Sequence, residues 1–177
     1  FDFDGVFTDG KILFDNDGYA VKYYNAKDGN AIFRLKDENI LTGVISGWKN
    51  NTSQSSILEH LKFDKISLGT DSKLLILVNW CKELNISLEE VAYIGDDLND
   101  LEIMDSDVGL KCCPNDAAHE IKEKVHYICP KKGGEGAVRD FCEYILKIII
   151  RNNEKISCVI PCAKINVENL NLRKICN

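Results

Sequence analysis

Short apolar runs alternate with segments of helical periodicity along most of the chain, and this alternation limits the possible fold more than any other feature. The clearest strand candidates are Gly43–Ser46, Lys65–Leu68 and Val91–Ile94, and each is followed by a segment with apolar residues at helical spacing. Strands that alternate with helices usually pair in parallel through right-handed crossovers. The sequence therefore predicts an α/β fold with a Rossmann-like, mostly parallel sheet and helices on both faces.

The remaining segments continue the same alternation. Helices are predicted at Asp28–Glu38, Asn51–Leu61, Ser72–Leu84, from about Leu98, near Ala117–Glu123 and at Gly136–Ile150, and further strands at Val108–Leu110 and His126–Ile128. The composition then changes, because Arg151–Asn177 is rich in Asn, Cys and Lys and has no clear period. We therefore expect one domain over residues 1–150 and a C-terminal extension of unknown role over residues 151–177.

A β-hairpin is predicted after the first strand. Lys11–Phe14 and Tyr19–Tyr24 are β-prone, and Asp15-Asn16-Asp17-Gly18 between them is a turn signal. An isolated two-stranded ribbon is marginally stable in water, and this one carries many large apolar side chains. Burial of the ribbon in an oligomer is therefore favoured over an ordinary edge ribbon.

Charge and cysteine usage argue against several classes of protein. The chain has 22 Lys and Arg against 28 Asp and Glu, a net charge of −6, which argues against a nucleic-acid-binding protein. No apolar run approaches the roughly 18 residues that a membrane span needs. The 8 cysteines lack disulfide or zinc spacing, since Cys112 and Cys113 are adjacent and the pair Cys158 and Cys162 has no nearby His. We expect reduced thiols in a cytoplasmic protein that binds neither nucleic acid nor membrane.

Acidic residues gather where two predicted strands end. Alternation places Asp2 and Asp4 on one side of the first strand, and Asp96, Asp97 and Asp100 follow the strand that ends at position 94. Ligands bind at the carboxyl ends of the strands in doubly wound sheets. Two converging acidic groups repel each other unless a cation lies between them, and carboxylate oxygens suit Mg²⁺. Either motif alone fits a solvated turn, but the two together favour a magnesium site.

Two further signals lie at the same edge of the predicted sheet. Ser46-Gly47 ends a strand, so a hydroxyl and main-chain N–H groups are available there, although a turn serine fits equally well. Lys73 lies at the start of a predicted helix, where its charge opposes the helix dipole. A solvated lysine and a functional lysine both fit that position.

The order and spacing of these motifs resemble a known superfamily. The motifs similar to those of the haloacid dehalogenase-like phosphatases are, in chain order, Asp2-x-Asp4-Gly5, Ser46, Lys73 and Gly95-Asp96-Asp97-x-x-Asp100. Segments that resemble one branch, the 3-deoxy-D-manno-octulosonate 8-phosphate phosphatases, are Phe1 to Gly10 with the hairpin after it, Asn25-x-x-Asp28-Gly29, and Gly133-Gly134-x-Gly136-Ala137-Val138-Arg139. The resemblance covers about residues 1–150 and extends to the nonulosonate 9-phosphate phosphatases and the C-terminal module of animal CMP-sialic acid synthetases.

The resemblance implies a phosphatase with Mg²⁺ as cofactor. Asp2 would attack phosphorus and form an aspartyl-phosphate, and Asp4 would protonate the leaving sugar oxygen and then activate water. The ligands of Mg²⁺ would be the Asp2 carboxylate, the Asp4 main-chain carbonyl and the Asp96 carboxylate. Ser46 and Lys73 would hold the phosphoryl oxygens.

Further roles around this centre follow from the same resemblance. Asp97 and Asp100 would orient the metal-bound waters and the phosphate-binding lysine. Contacts to the substrate, a phosphorylated sugar acid, would come from Gly47, Asp28 and Arg139.

The resemblance also implies an assembly. The sequence leaves no room for a large cap domain between the motifs, and capless members form homotetramers in which the hairpins build a central barrel. The loop Lys131–Gly136 would then lie near a neighbour's Asp2.

Two departures from the branch leave the identity of the sugar acid open. Trp48 stands where an Arg commonly follows the Ser/Thr-Gly pair, and Glu135 stands where the glycine-rich motif often has a basic residue. Neither departure touches the predicted catalytic acids.

Other functions are weighed against the phosphatase. Phe1 already reads as the end of a buried strand, so we expect residues upstream, even an entire preceding domain. A non-catalytic oligomerisation module behind a cytidylyltransferase is consistent with such a start, but the complete set of acids favours activity. A phosphoacceptor receiver domain fits the order of the acidic motifs poorly.

Overall fold

The computed structural model describes residues 1–49 and 52–154. The strands are β1 (Leu13–Phe14), β2 (Ala20–Val21), β3 (Gly43–Ser46), β4 (Lys65–Leu68), β5 (Ala92–Ile94), β6 (Leu110–Cys113) and β7 (Tyr127–Ile128). The α-helices are α1 (Ala26–Asp37), α2 (Thr52–Leu61), α3 (Lys73–Leu84), α4 (Leu101–Met104), α5 (His119–Lys122) and α6 (Ala137–Glu154). Two 3-10 helices, Leu88–Glu90 and Leu98–Asp100, precede β5 and α4.

The parallel strands are arranged around the first two residues of the chain. β3 pairs in parallel with β4, and β5, β6 and β7 pair in parallel in that order. The backbone nitrogen of Phe1 donates to the carbonyl of Gly43 at 2.8 Å, and the amide of Ile45 donates to the carbonyl of Phe1 at 2.9 Å. On the other side, the amide of Asp2 donates to the carbonyl of Ile94 at 2.9 Å. Residues 1–2 therefore occupy the strand position between β3 and β5, as the buried first strand of the prediction requires.

Helices cover both faces of this sheet, which confirms the predicted α/β architecture. Successive strand residues point to opposite sides. Val44 and Ile94 pack with α1, α2 and α6, whereas Ile45 and Tyr93 pack with α3, α4 and α5. The first face includes a cluster of phenylalanine rings around the fully buried Phe7.

Some predicted boundaries are corrected by the structure. The strand predicted at Val108–Leu110 lies at Leu110–Cys113, because Cys112 and Cys113 are buried on opposite faces of β6 and belong to its pleat. The last helix, predicted to end at Ile150, continues to Glu154. The rest of the predicted C-terminal extension lies outside the described residues.

The predicted hairpin is present and presents apolar side chains to solvent. β1 and β2 pair in antiparallel fashion, with Leu13 opposite Val21. In the single chain, Phe14 is 66% exposed and Tyr23 is 71% exposed. Much of the apolar surface expected from the sequence is therefore exposed within one chain.

The cysteines and helices of the described residues bear on two expectations from the sequence. The described cysteines that are buried and unpaired are Cys81, Cys112, Cys113, Cys129 and Cys142. The pair Cys158 and Cys162 lies outside the described residues. Among the described helices, none combines the length and apolar character needed to cross a bilayer.

Candidate active site

A cavity of about 490 Å³ opens at the carboxyl ends of the strands, where doubly wound sheets bind their ligands. The predicted site residues that line it are Asp2, Asp4, Ser46, Gly47, Lys73, Asp96 and Asp97. The residues that line it and were not singled out as site residues are Gly5, Gly10, Trp48, Thr70, Asp71 and Asn99. The segments after four strand positions, namely the first strand position, β3, β4 and β5, thus contribute to one concave surface.

The loop that follows the first strand position is shaped for close approach to the second acidic group. Gly5 has a φ of +79°, and a side chain there would collide with the carboxylate of Asp96. The hydroxyl of Thr8 accepts from the amides of Gly5 and Gly10, both at 3.3 Å. The hydrogen bonds of Thr8 fold the chain back after Asp4. The absence of a side chain at Gly5 leaves room for the carboxylate of Asp96 beside this loop.

Lys73 lies between two carboxylates at the base of the cavity. Its Nζ is 2.8 Å from Oδ1 of Asp2 and 2.8 Å from Oδ1 of Asp100, and its side chain is only 3% exposed. Burial acts to lower the pKa of Lys73, but the two carboxylates outweigh burial and raise it. The unfavourable position of this lysine at the start of α3 is thus explained by two ion pairs.

Asp100 is held by donors on both of its oxygens. Its Oδ1 accepts from the hydroxyl of Tyr93 at 2.6 Å as well as from Lys73, and its Oδ2 accepts from the amides of Asp96 and Asp97 at 3.1 and 3.4 Å. A side chain at Gly95 would collide with it. Asp100 therefore holds both the ammonium of Lys73 and the turn that carries Asp96. This contact agrees with the expectation that Asp100 orients the lysine.

The acidic cluster has the features of a cation site. Carboxylate oxygens of Asp2, Asp96 and Asp100 lie within 4.8 Å of one another. Oδ1 of Asp96 is buried, and within residues 1–49 and 52–154 no group donates a hydrogen bond to it. A buried acceptor without a donor is costly, and a cation would satisfy it. Because Asp100 already has its donors, Asp2 and Asp96 are the better candidate ligands.

Electrostatics within the cluster point to the same requirement for positive charge. Burial, followed by repulsion from Asp100, raises the pKa of Asp2 above its ordinary value, although Lys73 opposes this. Burial, followed by repulsion from Asp2 and Asp100, raises the pKa of Asp96. Protein groups alone therefore do not neutralise the two carboxylates, and a divalent cation fits the donor set.

Ser46 and Trp48 contribute to the cavity from the end of β3. Ser46 is 1% exposed, and its hydroxyl accepts from the amide of Trp48 at 3.2 Å. The Trp48 side chain is 39% exposed and lines the cavity. This side of the cavity offers a hydroxyl and an aromatic surface.

Lys22 is a site residue that sequence reasoning missed. Its ammonium lies 2.7 Å from Oδ1 of Asp4, and its side chain is 0% exposed although it comes from the hairpin. The one available signal was a lysine within the otherwise apolar strand Tyr19–Tyr24.

Asp28 and Arg139, predicted to contact substrate, are not among the residues that line the cavity. Asp28 is 0% exposed, and its carboxylate accepts from the amides of Gly136 at 3.2 Å and Arg139 at 2.7 Å. It thereby satisfies free N–H groups at the start of α6. The guanidinium of Arg139 pairs with Glu143 at 2.8 Å. Within one chain, Asp28 therefore caps the first turn of α6, and Arg139 forms an ion pair along the same helix.

Asp28→Ala is therefore expected to lower the free energy of unfolding by about 2 kcal/mol, because buried N–H groups lose their acceptor. Asp37→Ala, on the exposed end of the same helix, is the matched control and should change stability by less than about 0.5 kcal/mol. Chemical denaturation of both variants measures the difference. Equal stability of the two variants would contradict the assigned role of Asp28.

The glycine-rich loop Lys131–Gly136 packs on the loop that follows Asp4 in its own chain. The amide of Gly134 donates to the carbonyl of Val6 at 3.0 Å, and the amide of Gly133 donates to Oδ1 of Asp116 at 3.0 Å. A side chain at Gly133 would collide with the carbonyl of Gly5. The loop therefore supports the backbone next to Asp4 in the same chain.

Comparison with known proteins identifies relatives of this chain. A family model described as haloacid dehalogenase-like hydrolase matches residues 11–141. The chain is 36% identical over 149 residues to the 3-deoxy-D-manno-octulosonate 8-phosphate phosphatase KdsC of Yersinia pestis, covering 82% of this chain and 76% of that protein. It is 33% identical over 145 residues to KdsC of Escherichia coli K12, with the same coverage of 82% and 76%.

Solved structures agree with this assignment. The 3-deoxy-D-manno-octulosonate 8-phosphate phosphatase of Moraxella catarrhalis, solved with a magnesium ion, a phosphate ion and a KDO molecule, has 35% identity and a TM-score of 0.78, covering 82% of this chain and 83% of that one. The cobalt-bound phosphatase of Haemophilus influenzae has 32% identity and a TM-score of 0.77, covering 82% and 84%. The chain belongs to the haloacid dehalogenase-like hydrolases, in the branch of the 3-deoxy-D-manno-octulosonate 8-phosphate phosphatases.

Proposed function

We propose that this phosphoric monoester hydrolase acts on a phosphorylated sugar acid, 3-deoxy-octulosonate 8-phosphate or a nonulosonate 9-phosphate, through an aspartyl-phosphate on Asp2. The observation that carries the proposal is the group of Asp2, Lys73 and Asp96 at the base of an open cavity. The relatives from Yersinia pestis and Escherichia coli, which are 3-deoxy-D-manno-octulosonate 8-phosphate phosphatases, support the class of substrate.

In the first step, a carboxylate oxygen of Asp2 attacks phosphorus while the bond from phosphorus to the sugar oxygen breaks. The sugar oxygen leaves with a proton from Asp4, whose side chain is 29% exposed at the cavity. Lys73 and Ser46 hold the phosphoryl oxygens and stabilise their charge. The products of this step are the free sugar acid and the phosphorylated Asp2.

In the second step, Asp4 accepts a proton from water as the water oxygen bonds to phosphorus. The bond between phosphorus and the Asp2 oxygen breaks, which releases phosphate and restores the carboxylate. Asp4 is again protonated and can serve as the acid of the next cycle.

Mg²⁺ would be held by the carboxylates of Asp2 and Asp96 and by the main-chain carbonyl of Asp4. When bound, it supplies positive charge that offsets the repulsion between the carboxylates and the phosphate dianion. The unsatisfied oxygen of Asp96 supports this assignment.

Phosphate release from a panel of phosphorylated sugar acids, with and without Mg²⁺, tests the proposed function. We expect turnover of at least one eight- or nine-carbon sugar acid phosphate at a higher kcat/KM than a simple sugar phosphate. Release of phosphate from simple esters alone, with none from any sugar acid phosphate, would overturn the substrate class.

We propose that the hairpin is buried between copies of the chain in a homotetramer whose sites lie at subunit boundaries. Leu13, Phe14 and Tyr23 are each more than half exposed in the single chain, with exposures of 52%, 66% and 71%. Full burial of a large apolar side chain contributes roughly 1.5–3 kcal/mol, so several such side chains could drive association.

Phe14→Glu is expected to dissociate this assembly, because a carboxylate would have to be buried without a partner. Activity on the sugar acid phosphate should fall, while hydrolysis of a small phosphate ester should fall less, since the small ester needs no neighbouring subunit for recognition. Leu75→Glu is the matched control on α3, where Leu75 is 59% exposed. The proposed assembly would be rejected if the unmodified chain is a monomer by light scattering and is fully active on the sugar acid phosphate.

A further inference from the structure

Lys22 places a charged group where water does not reach it. Its side chain is 0% exposed, although it is carried by a short hairpin that is otherwise mostly exposed. Removing an ammonium from water is costly unless close partners compensate its charge. A lysine in this position therefore has a specific electrostatic partner.

That partner is the carboxylate of Asp4. The Nζ of Lys22 lies 2.7 Å from Oδ1 and 2.8 Å from Oδ2 of Asp4, so both oxygens are in contact with one ammonium. The same Nζ donates to Oε1 of Gln54 at 3.3 Å. Asp4 lines the cavity and its side chain is 29% exposed, whereas Lys22 is not among the lining residues and its side chain is 0% exposed.

The surroundings of Lys22 fix its position from several directions. The amide of Lys22 donates to the hydroxyl of Ser53 on α2 at 3.2 Å, and that hydroxyl donates to the carbonyl of Ala20 at 3.0 Å. The ammonium lies 4.9 Å from the centre of the Trp48 ring and 5.6 Å from that of Phe3, within cation–π range. The hairpin is thus hydrogen-bonded to α2, and the ammonium of its lysine is held against the carboxylate of Asp4.

We infer that Lys22 is a positioning residue for Asp4, which it holds in the orientation needed for proton transfer to the leaving oxygen. This inference rests on the proposed function, because Asp4 is the acid and base of that mechanism. Misplacement of a reacting group by about 1 Å can cost about 100-fold in rate. Loss of Lys22 should therefore impair the steps that need a proton from or to Asp4, and spare attack by Asp2.

The test compares Lys22→Met with Lys27→Met on two substrates. Lys27 is exposed at the start of α1 and does not line the cavity, so it is the matched control. For Lys22→Met, kcat on a sugar acid phosphate should fall by about 100-fold with little change in KM. The first turnover of p-nitrophenyl phosphate, whose leaving group needs no proton, should stay within a few-fold of the unmodified enzyme. Lys22→Arg, which keeps the charge, should restore most of the lost rate.

A double-mutant cycle separates positioning from a general structural defect. In an Asp4→Asn background, Lys22→Met should cost little further activity, because its effect passes through a carboxylate that is already gone. If Lys22→Met does not fold, Ser53→Ala, which loosens the main chain of Lys22, should show the same dependence on leaving group to a smaller degree.

Three results would overturn the inference. Lys22→Met could slow the first turnover of both substrates equally, or leave kcat on the sugar acid phosphate unchanged. The third is that the effects of Lys22→Met and Asp4→Asn on activity are additive in the double-mutant cycle. Failure of the proposed function itself is distinguishable, because the unmodified enzyme would then not hydrolyse sugar acid phosphates at all.

Discussion

Asp2→Asn is expected to lower kcat for phosphate release by about 10⁴- to 10⁶-fold, the scale seen when a nucleophile is removed from an enzyme. The amide has almost the same shape as the carboxylate but is a poor nucleophile. Folding should persist, because the main-chain N–H of residue 2 still donates to the carbonyl of Ile94 in the sheet. Steady-state phosphate release and a thermal unfolding midpoint measure the two effects separately.

Asp37→Asn provides the matched control for this variant. Asp37 ends α1 on the exposed surface, away from the cavity, and the same chemical change there should leave kcat within about two-fold of the original. Multiple-turnover hydrolysis by Asp2→Asn near the original rate would show that Asp2 is not the nucleophile.

Removal of divalent cations is expected to lower activity by at least about 1,000-fold, and Mg²⁺ should restore it. The physical reason is the repulsion among Asp2, Asp96 and the phosphate dianion, which metal charge offsets by several kcal/mol. Lys73 alone does not neutralise the cluster, because Asp100 shares its ammonium.

A titration of activity with Mg²⁺ after chelation measures this dependence. Asp96→Asn should shift the half-maximal Mg²⁺ concentration upward, whereas Asp37→Asn should not. Full activity in excess chelator would contradict the assignment of the acidic cluster as a metal site.

The residues that sequence reasoning placed in the cavity share one local property. Asp2, Asp4, Ser46 and Asp96 lie in or just after a strand position, and Lys73 begins the helix after β4. Because the carboxyl ends of parallel strands meet at one edge, a correct strand pattern was enough to bring these side chains together.

The contacts that the sequence did not predict join distant parts of the chain. Lys22 meets Gln54 across 32 positions, and Asp28 meets Gly136 across 108. Neither pairing leaves a periodic or local signal. The strand boundary near Val108 failed for a related reason, since Cys112 and Cys113 reveal their place in β6 only through burial on both faces.

The most direct test of the account is to identify the residue that carries the phosphoryl group during turnover. Asp4→Asn should slow hydrolysis of the intermediate, so acid quenching of this variant with p-nitrophenyl phosphate and Mg²⁺ should trap it. We predict that peptide mass spectrometry finds one phosphoryl group on Asp2, and none on the peptide from the Asp2→Asn, Asp4→Asn double variant. Release of p-nitrophenol by Asp4→Asn with the phosphoryl group on another residue, or on no residue, would contradict the account.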